Sequence, residues 1–220
     1  MSGGGRFITL EGGEGSGKST QARRLADMLR ESGDDVVLTR EPGGSPGAEL
    51  ARAALLSGAV RPYGVEAEAV MFAAARLDHV EHTIRPALMA GKWVICDRFT
   101  DSTRVYQGAV GQVPDALLRG LEHVTAAHAR PDLTLILDLS PDIGLARASA
   151  RAQGAQADRF EGEGLAFHRA VRAAFLEIAQ ADPARCVVVD AQGNAETVAQ
   201  RIRSAVLSRL PDARRARVPA

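Results

Sequence analysis

The chain has 220 residues and a mass of 23.2 kDa, enough for one well-cored domain and short for two. Hydrophobic residues make up 45% and charged residues 25%, a globular balance that excludes a disordered chain. Lys+Arg and Asp+Glu both number 27, so the net charge is zero, without the basic surplus of a general nucleic-acid binder. Residues 1–6 read as a flexible leader before a strand rather than as a signal peptide. Residues 7–10 form the first short apolar run, followed by a helical pattern over 19–30 with Ala22, Leu25, Ala26 and Leu29 on one stripe. A second apolar run covers 36–39, and the Gly- and Pro-rich segment 41–47 reads as a loop. A long alanine-rich helical pattern spans 67–90, with a break or kink expected at Pro86. A third apolar run at 93–96, a helix over 115–128, a fourth run at 133–139 and a helix over 142–152 follow. The polar, small-residue stretch 153–163 reads as a loop. Then come a helix over 164–181, a fifth apolar run at 186–189 and a helix over 195–210. Residues 214–217 read as a frayed, solvated end.

Continuous apolar strands alternating with helices predict an α/β fold in three layers, with a mostly parallel sheet covered on both faces. Ligands then gather at the carboxyl ends of the strands. No repeat or linker divides residues 1–220, and no apolar run is long enough to cross a bilayer. Cys96 and Cys186 each lie in an apolar run and read as core thiols in a reducing cytoplasm.

The strongest motif is Gly12-Gly13-Glu14-Gly15-Ser16-Gly17-Lys18-Ser19, set between a strand and a helix. Its glycines let successive backbone N–H groups aim at phosphate oxygens, and the helix N-terminus adds partial positive charge. Lys18, one of only two lysines, suits the β- and γ-phosphates of ATP, and the Ser19 hydroxyl suits Mg²⁺. Thr20 follows on the first helical turn. A carboxylate for the metal is expected at another strand end. Asp97 is favoured because Arg98 stands beside it, and Asp138 is the rival.

A phosphate loop leaves a kinase, a GTPase-like switch and an ATPase or binding module open. The only asparagine, Asn194, has no neighbouring lysine, so an Asn-Lys-x-Asp guanine reader is absent. A motor needs further domains. A small-molecule kinase needs arginines around a cleft and a water-excluding lid, and both are present in the sequence.

From Arg6 to Leu210 the chain resembles the bacterial type of thymidylate kinase. The resemblance rests on Thr39-Arg40-Glu41-Pro42-Gly43-Gly44, Met71 through Arg76, Asp97-Arg98, Ser102-Thr103 through Tyr106-Gln107-Gly108, Arg130 through Leu135, and an arginine-bearing segment over 147–161. It implies a single P-loop kinase domain with a five-stranded parallel sheet and a lid at about 147–161. It further implies transfer of the ATP γ-phosphoryl to dTMP and a homodimer without nucleic-acid or membrane partners. The implied acceptor residues are Glu14, Arg40, Phe72, Arg76, Arg98, Ser102, Thr103, Tyr106 and Gln107. In that reading Arg40 and Arg98 hold phosphate, Phe72 stacks on thymine, and Arg76 donates to its carbonyl. Tyr106 fills the space beside the sugar 2′ carbon. Read without the resemblance, Phe72 is core packing on an alanine-rich helix and Tyr106 a half-buried helix aromatic. Arg147 is implied to stack on adenine and Gln192-Gly193 to close over it. Arg151, with Arg159 as the alternative, is implied to meet the transferring phosphoryl. A cis Glu41–Pro42 bond is also implied. His79 and His82 read as surface or dimer-interface residues rather than zinc ligands.

Overall fold

The computed structural model describes residues 5–151 and 163–211, without the side chain of Arg151. Arg159, the side chain of Arg151 and most of the expected lid therefore lie outside the described residues. Five parallel strands form one sheet: β1 (Phe7–Glu11), β2 (Val36–Arg40), β3 (Trp93–Asp97), β4 (Leu133–Asp138) and β5 (Cys186–Asp190), in the order β2-β3-β1-β4-β5. Parallel neighbours need crossovers, and helices supply them. These are α1 (Lys18–Glu31), α2 (Pro46–Leu56), α3 (Val65–His79), α4 (Arg85–Met89), α5 (Thr100–Thr103), α6 (Asp115–Ala126), α7 (Pro141–Arg151), α8 (Leu165–Ala181) and α9 (Ala195–Arg209).

Alternation along the strands divides the core. Ile8 and Leu10 of β1, with Leu133, Leu135 and Leu137 of β4, pack against Leu25 and Leu29 of α1 and Val198, Ile202 and Val206 of α9. Phe7, Val94 and Cys96 face the other way, onto Val80, Ile84 and Phe99. Ile136 and Cys186 join Val105, Tyr106, Val171 and Phe175. The expected three-layer α/β architecture and five parallel strands are present, with ends moved by a residue or so. No helix among the described residues is long and apolar enough to cross a membrane.

Three elements differ from the reading above. The 41–47 loop gives way at Pro46 to helix α2, because proline at the first helical position has its φ set and lacks only a donor that would be unsatisfied there. The long helix keeps its course past Pro86 through a π-helical turn, Val80–Ile84. Widening the turn before Pro86 accommodates its missing N–H and the ring's crowding of an upstream carbonyl. A second π-helical stretch, Arg104–Val110, follows α5 around Tyr106, where the sequence suggested an ordinary helix at most.

Candidate active site

The loop joining β1 to α1 reverses through Gly12, Gly15 and Gly17, all with positive φ. At Gly15 (φ +68°) a Cβ would lie 2.0 Å from the Gly144 carbonyl oxygen of α7, so no side chain fits. Ser16 Oγ donates to the Gly13 carbonyl at 2.8 Å and braces the turn. Lys18 folds its ammonium back over the loop, donating to the Gly12 and Gly13 carbonyls at 3.1 and 2.8 Å. Burial, and then the neighbouring Arg98 charge, lower the Lys18 pKa to about 8. Thr20 is exposed on the first turn of α1.

The two candidate metal carboxylates have different surroundings. Asp138 is engaged by Arg172 of α8, whose Nε and one terminal nitrogen donate to its two oxygens at 2.6 and 2.9 Å. Asp97 accepts from the Ser19 hydroxyl through Oδ2, while its buried Oδ1 has no hydrogen-bond partner. A hydroxyl and a carboxylate with a spare oxygen are hard donors that fit Mg²⁺. No group of three or more His, Cys, Asp or Glu placed to hold a metal ion occurs among the described residues. Such a cation would complete its shell from phosphate and water, as Mg²⁺ commonly does.

Arg98 begins the chain reversal after β3 with φ +72°, a left-handed conformation uncommon for a residue with a side chain. Its N–H is held by the Leu10 carbonyl at 3.0 Å. The following N–H, of Phe99, donates to Glu11 Oε1 at 2.7 Å. The guanidinium reaches Glu14 at 2.6 Å, Ser102 Oγ at 3.1 Å and the Gly12 carbonyl at 3.3 Å, and lies 5.2 Å from the Tyr106 ring centre. Burial alone would raise the Glu14 pKa, but Arg98 and then Lys18 outweigh it and hold this carboxyl below the usual range. The Tyr106 hydroxyl also approaches Glu14, at 3.4 Å.

A cavity of about 250 Å³ opens here. Its walls include Glu14, Arg40, Phe72, Arg76, Arg98, Ser102, Thr103, Tyr106 and Gln107, together with Gly15, Gly17, Lys18, Ser19 and Asp97. All nine residues expected on the acceptor side thus meet in one place beside the glycine-rich loop. Arg40, at the end of edge strand β2, also bonds both oxygens of Glu49 from α2 at 2.9 and 3.1 Å. Arg147 lies apart from the cavity wall and donates to the Ala191 and Gly193 carbonyls at 3.3 and 3.1 Å, beside Gln192 after β5.

Beneath the Arg76 end of the cavity runs a buried polar chain. Arg76 Nε donates to Glu41 Oε2 at 2.8 Å, and its NH2 group donates to Thr103 Oγ1 at 3.0 Å. Glu41 Oε1 pairs with His79 Nδ1 at 3.1 Å, and His79 Nε2 with Thr39 Oγ1 at 2.7 Å. The Glu41–Pro42 bond is cis. His79, expected at the surface or a dimer interface, is fully buried, whereas His82 is exposed. Both lie on one face of the helical segment, but Glu41 and Thr39 offer His79 polar partners inside.

The sequence reading passed over Glu11, Arg52 and Leu56, and named Glu41 only for its motif and cis bond. Glu11 is buried at the end of β1 and accepts from Phe99 N–H and from Ser102 Oγ at 2.6 Å. Burial, and then repulsion from Asp101, raise its pKa to about 7. Its place at the carboxyl end of an apolar strand, where ligands gather, was the available signal for a site role, though not for burial. Arg52 and Leu56 line the cavity from α2, the helix that was not expected.

A family model described as thymidylate kinase matches residues 10–202. The thymidylate kinase of Bradyrhizobium diazoefficiens is 54% identical over 209 residues, 95% of this chain and 92% of that protein. That of Afipia carboxidovorans is also 54% identical, over 98% of this chain and 95% of its own length. The crystal structure of thymidylate kinase from Ehrlichia chaffeensis superposes with a TM-score of 0.75 at 32% identity, covering 92% of this chain and 99% of that one. With the glycine-rich loop, the arginine-lined cavity and these matches pointing the same way, the chain belongs to the thymidylate kinase family, the phosphotransferases that convert dTMP to dTDP with ATP.

Proposed function

We propose that dTMP occupies the cavity with its phosphate toward the glycine-rich loop, and that the ATP γ-phosphoryl crosses to it in line. The observation that carries this reading is the meeting of nine acceptor-side residues in one cavity with Lys18 and Ser19 in its wall. The loop of Gly12, Gly13, Glu14, Gly15, Ser16, Gly17, Lys18, Ser19 and Thr20 receives the ATP phosphates through N–H groups, and Lys18 turns from carbonyls to phosphate oxygens. Arg147 and Gln192 face adenine. Ser19 and Asp97 would hold Mg²⁺, which when bound supplies charge neutralisation at the β- and γ-phosphates.

Arg40 and Arg98 hold the acceptor phosphate, since a guanidinium fork matches its oxygens. Glu14 sets the direction of Arg98. It need not act as a base, because the attacking phosphate oxygen is already ionised. That oxygen bonds to the γ-phosphorus while the bridging P–O bond breaks, and its electron pair leaves with ADP. Phe72 stacks on thymine and Arg76 donates to a base carbonyl, with Ser102, Thr103 and Gln107 alongside. Tyr106 occupies the space a ribose 2′-hydroxyl would need. Arg151, or Arg159, meets the transferring phosphoryl from a lid at about 147–161. Catalysis here is positioning plus electrostatics in a site closed to water.

A coupled ADP-release assay with dTMP, dUMP, dCMP, dGMP and thymidine tests the reading. The highest kcat/KM is expected for dTMP; preference for thymidine would overturn the phosphate role of Arg40 and Arg98. The chain further acts as a homodimer joined through α3, where exposed Val70 and Leu77 lie seven residues apart on one stripe. Buried, unpaired Cys96 and Cys186 support a cytoplasmic setting.

A further inference from the structure

The buried chain beneath the base end of the cavity has no part in phosphoryl transfer. Its members come from distant places: Thr39 and Glu41 flank Arg40 at the end of β2, Arg76 and His79 lie on α3, and Thr103 ends α5. Glu41, Arg76 and His79 are all more than nine-tenths buried. Such groups are retained at a cost unless fully paired. Pairing here is extensive. Each Glu41 carboxylate oxygen has one partner, Oε2 taking Arg76 Nε and Oε1 taking His79 Nδ1. A carboxylate only accepts, so His79 Nδ1 carries the proton and the ring orientation is set, with Thr39 Oγ1 closing the other side. The packing leaves little slack. At Gly44 (φ +87°) a Cβ would lie 2.3 Å from Thr39 Oγ1 and 2.4 Å from His79 Nε2.

One nitrogen of this chain stands apart. Arg76 uses Nε and NH2, while NH1 has no hydrogen-bond partner among the described residues, and Arg76 lines the cavity. Glu41 lines it too. With both Glu41 oxygens engaged, the Arg76–Glu41 part of the wall presents a donor to a base and withholds its carboxylate acceptors. A pyrimidine bearing a carbonyl suits such a wall; one bearing an exocyclic amino group does not. Freeing one Glu41 oxygen would reverse part of that preference, because the released oxygen could turn to the cavity and accept from an amino group.

We infer that Glu41 and His79 are positioning residues for base discrimination: His79 holds Glu41, and Glu41 holds Arg76 so that this pair turns a donor, and no carboxylate acceptor, toward the cavity. This rests on the reading of Arg76 as the group that faces the base. The inference concerns how the preference for thymine over cytosine is enforced, through a histidine that touches neither substrate.

The test is steady-state kinetics of the full chain with dTMP and with dCMP at saturating ATP, alongside the KM for ATP and thermal melts. His79→Leu removes the donor to Glu41; it should raise the KM for dTMP and lower the dTMP:dCMP ratio of kcat/KM by about tenfold. The kcat at saturating dTMP and the KM for ATP should stay within about twofold of the parent. His79→Asn places an amide N–H where Nδ1 stood and should restore most of the ratio. Glu41→Gln retains the shape and replaces one acceptor, and should lower the ratio even if His79→Leu does not fold. Arg76→Met serves as the reference. If Arg76→Met leaves the ratio unchanged, the base-facing role of Arg76 fails and this inference fails with it. If Arg76→Met lowers the ratio but His79→Leu and Glu41→Gln do not, only the positioning role is overturned. Equal loss in His79→Asn and His79→Leu would also overturn it, since a packing defect would not distinguish the two.

Discussion

Lys18 shows how a residue is prepared for a ligand. Its ammonium rests on two loop carbonyls, in a site where burial and Arg98 already disfavour its charge. A triphosphate relieves both conditions, so the gain on binding is concentrated at this nitrogen. Lys18→Ala should lower kcat by roughly three orders of magnitude or more while leaving the circular dichroism spectrum and melting temperature near the parent's. Near-normal turnover would remove Lys18 from the mechanism. Glu11 makes a prediction of a different kind. With its native pKa raised to about 7 and an unfolded value near 4.5, the folded chain binds more protons than the unfolded chain between those limits. The Glu11 contribution to stability therefore declines as pH rises through that window. Glu11→Gln abolishes this decline, so the variant should gain on the parent in melting temperature from pH 5 to pH 7.5. A constant difference across that range would refute the assignment. Neither this burial nor that of His79 was legible in the sequence. A charged residue at a strand end reads as exposed, and only the return of the chain through α5 and over β1 encloses it.

Among the elements, α7 has a particular relation to the glycine-rich loop. A Cβ on Gly144 would lie 2.4 Å from the Glu14 carbonyl oxygen, the reciprocal of the close approach at Gly15. Two backbones touch there with no side chain between them. Gly144→Ala should therefore push α7 and the loop apart, raising the KM for ATP several-fold with a smaller effect on the KM for dTMP; comparable changes in both constants would argue against a local effect. A glycine inside a helical pattern carries no such message in the sequence, since its meaning depends on what the fold brings opposite. The strands were legible because each is a short, continuous apolar run, and α1 because its apolar residues keep a 3.6-residue stripe. Helix α2 was signalled by Ser45-Pro46 but hidden by the glycines before it. The π-helical stretches follow a spacing that a 3.6-residue template cannot register. Much of the site was readable from motifs at strand ends, where Arg40, Asp97 and Arg98 stand. Arg52 and Leu56 were not, because they depend on α2 being a helix.

At the scale of the whole molecule, an apolar stripe remains on α3, and on α6, which packs against it, Leu117 and Val124 are exposed as well. If the proposed homodimer forms through α3, Val70→Glu combined with Leu77→Glu should halve the mass read by size-exclusion chromatography with light scattering; an unchanged mass would overturn that proposal. The order of the strands has its own consequence. β1 is fully buried between β3 and β4, while β2 is a half-buried edge strand paired only with β3. The phosphate loop thus grows from the buried centre of the sheet, and Arg40 from one of its half-buried margins. Amide protons of residues 7–11 should outlast those of 36–40 in hydrogen–deuterium exchange, and dTMP should slow the margin more than ATP does. Such a gradient of rigidity would let the acceptor side breathe between turnovers while the donor's seat stays still.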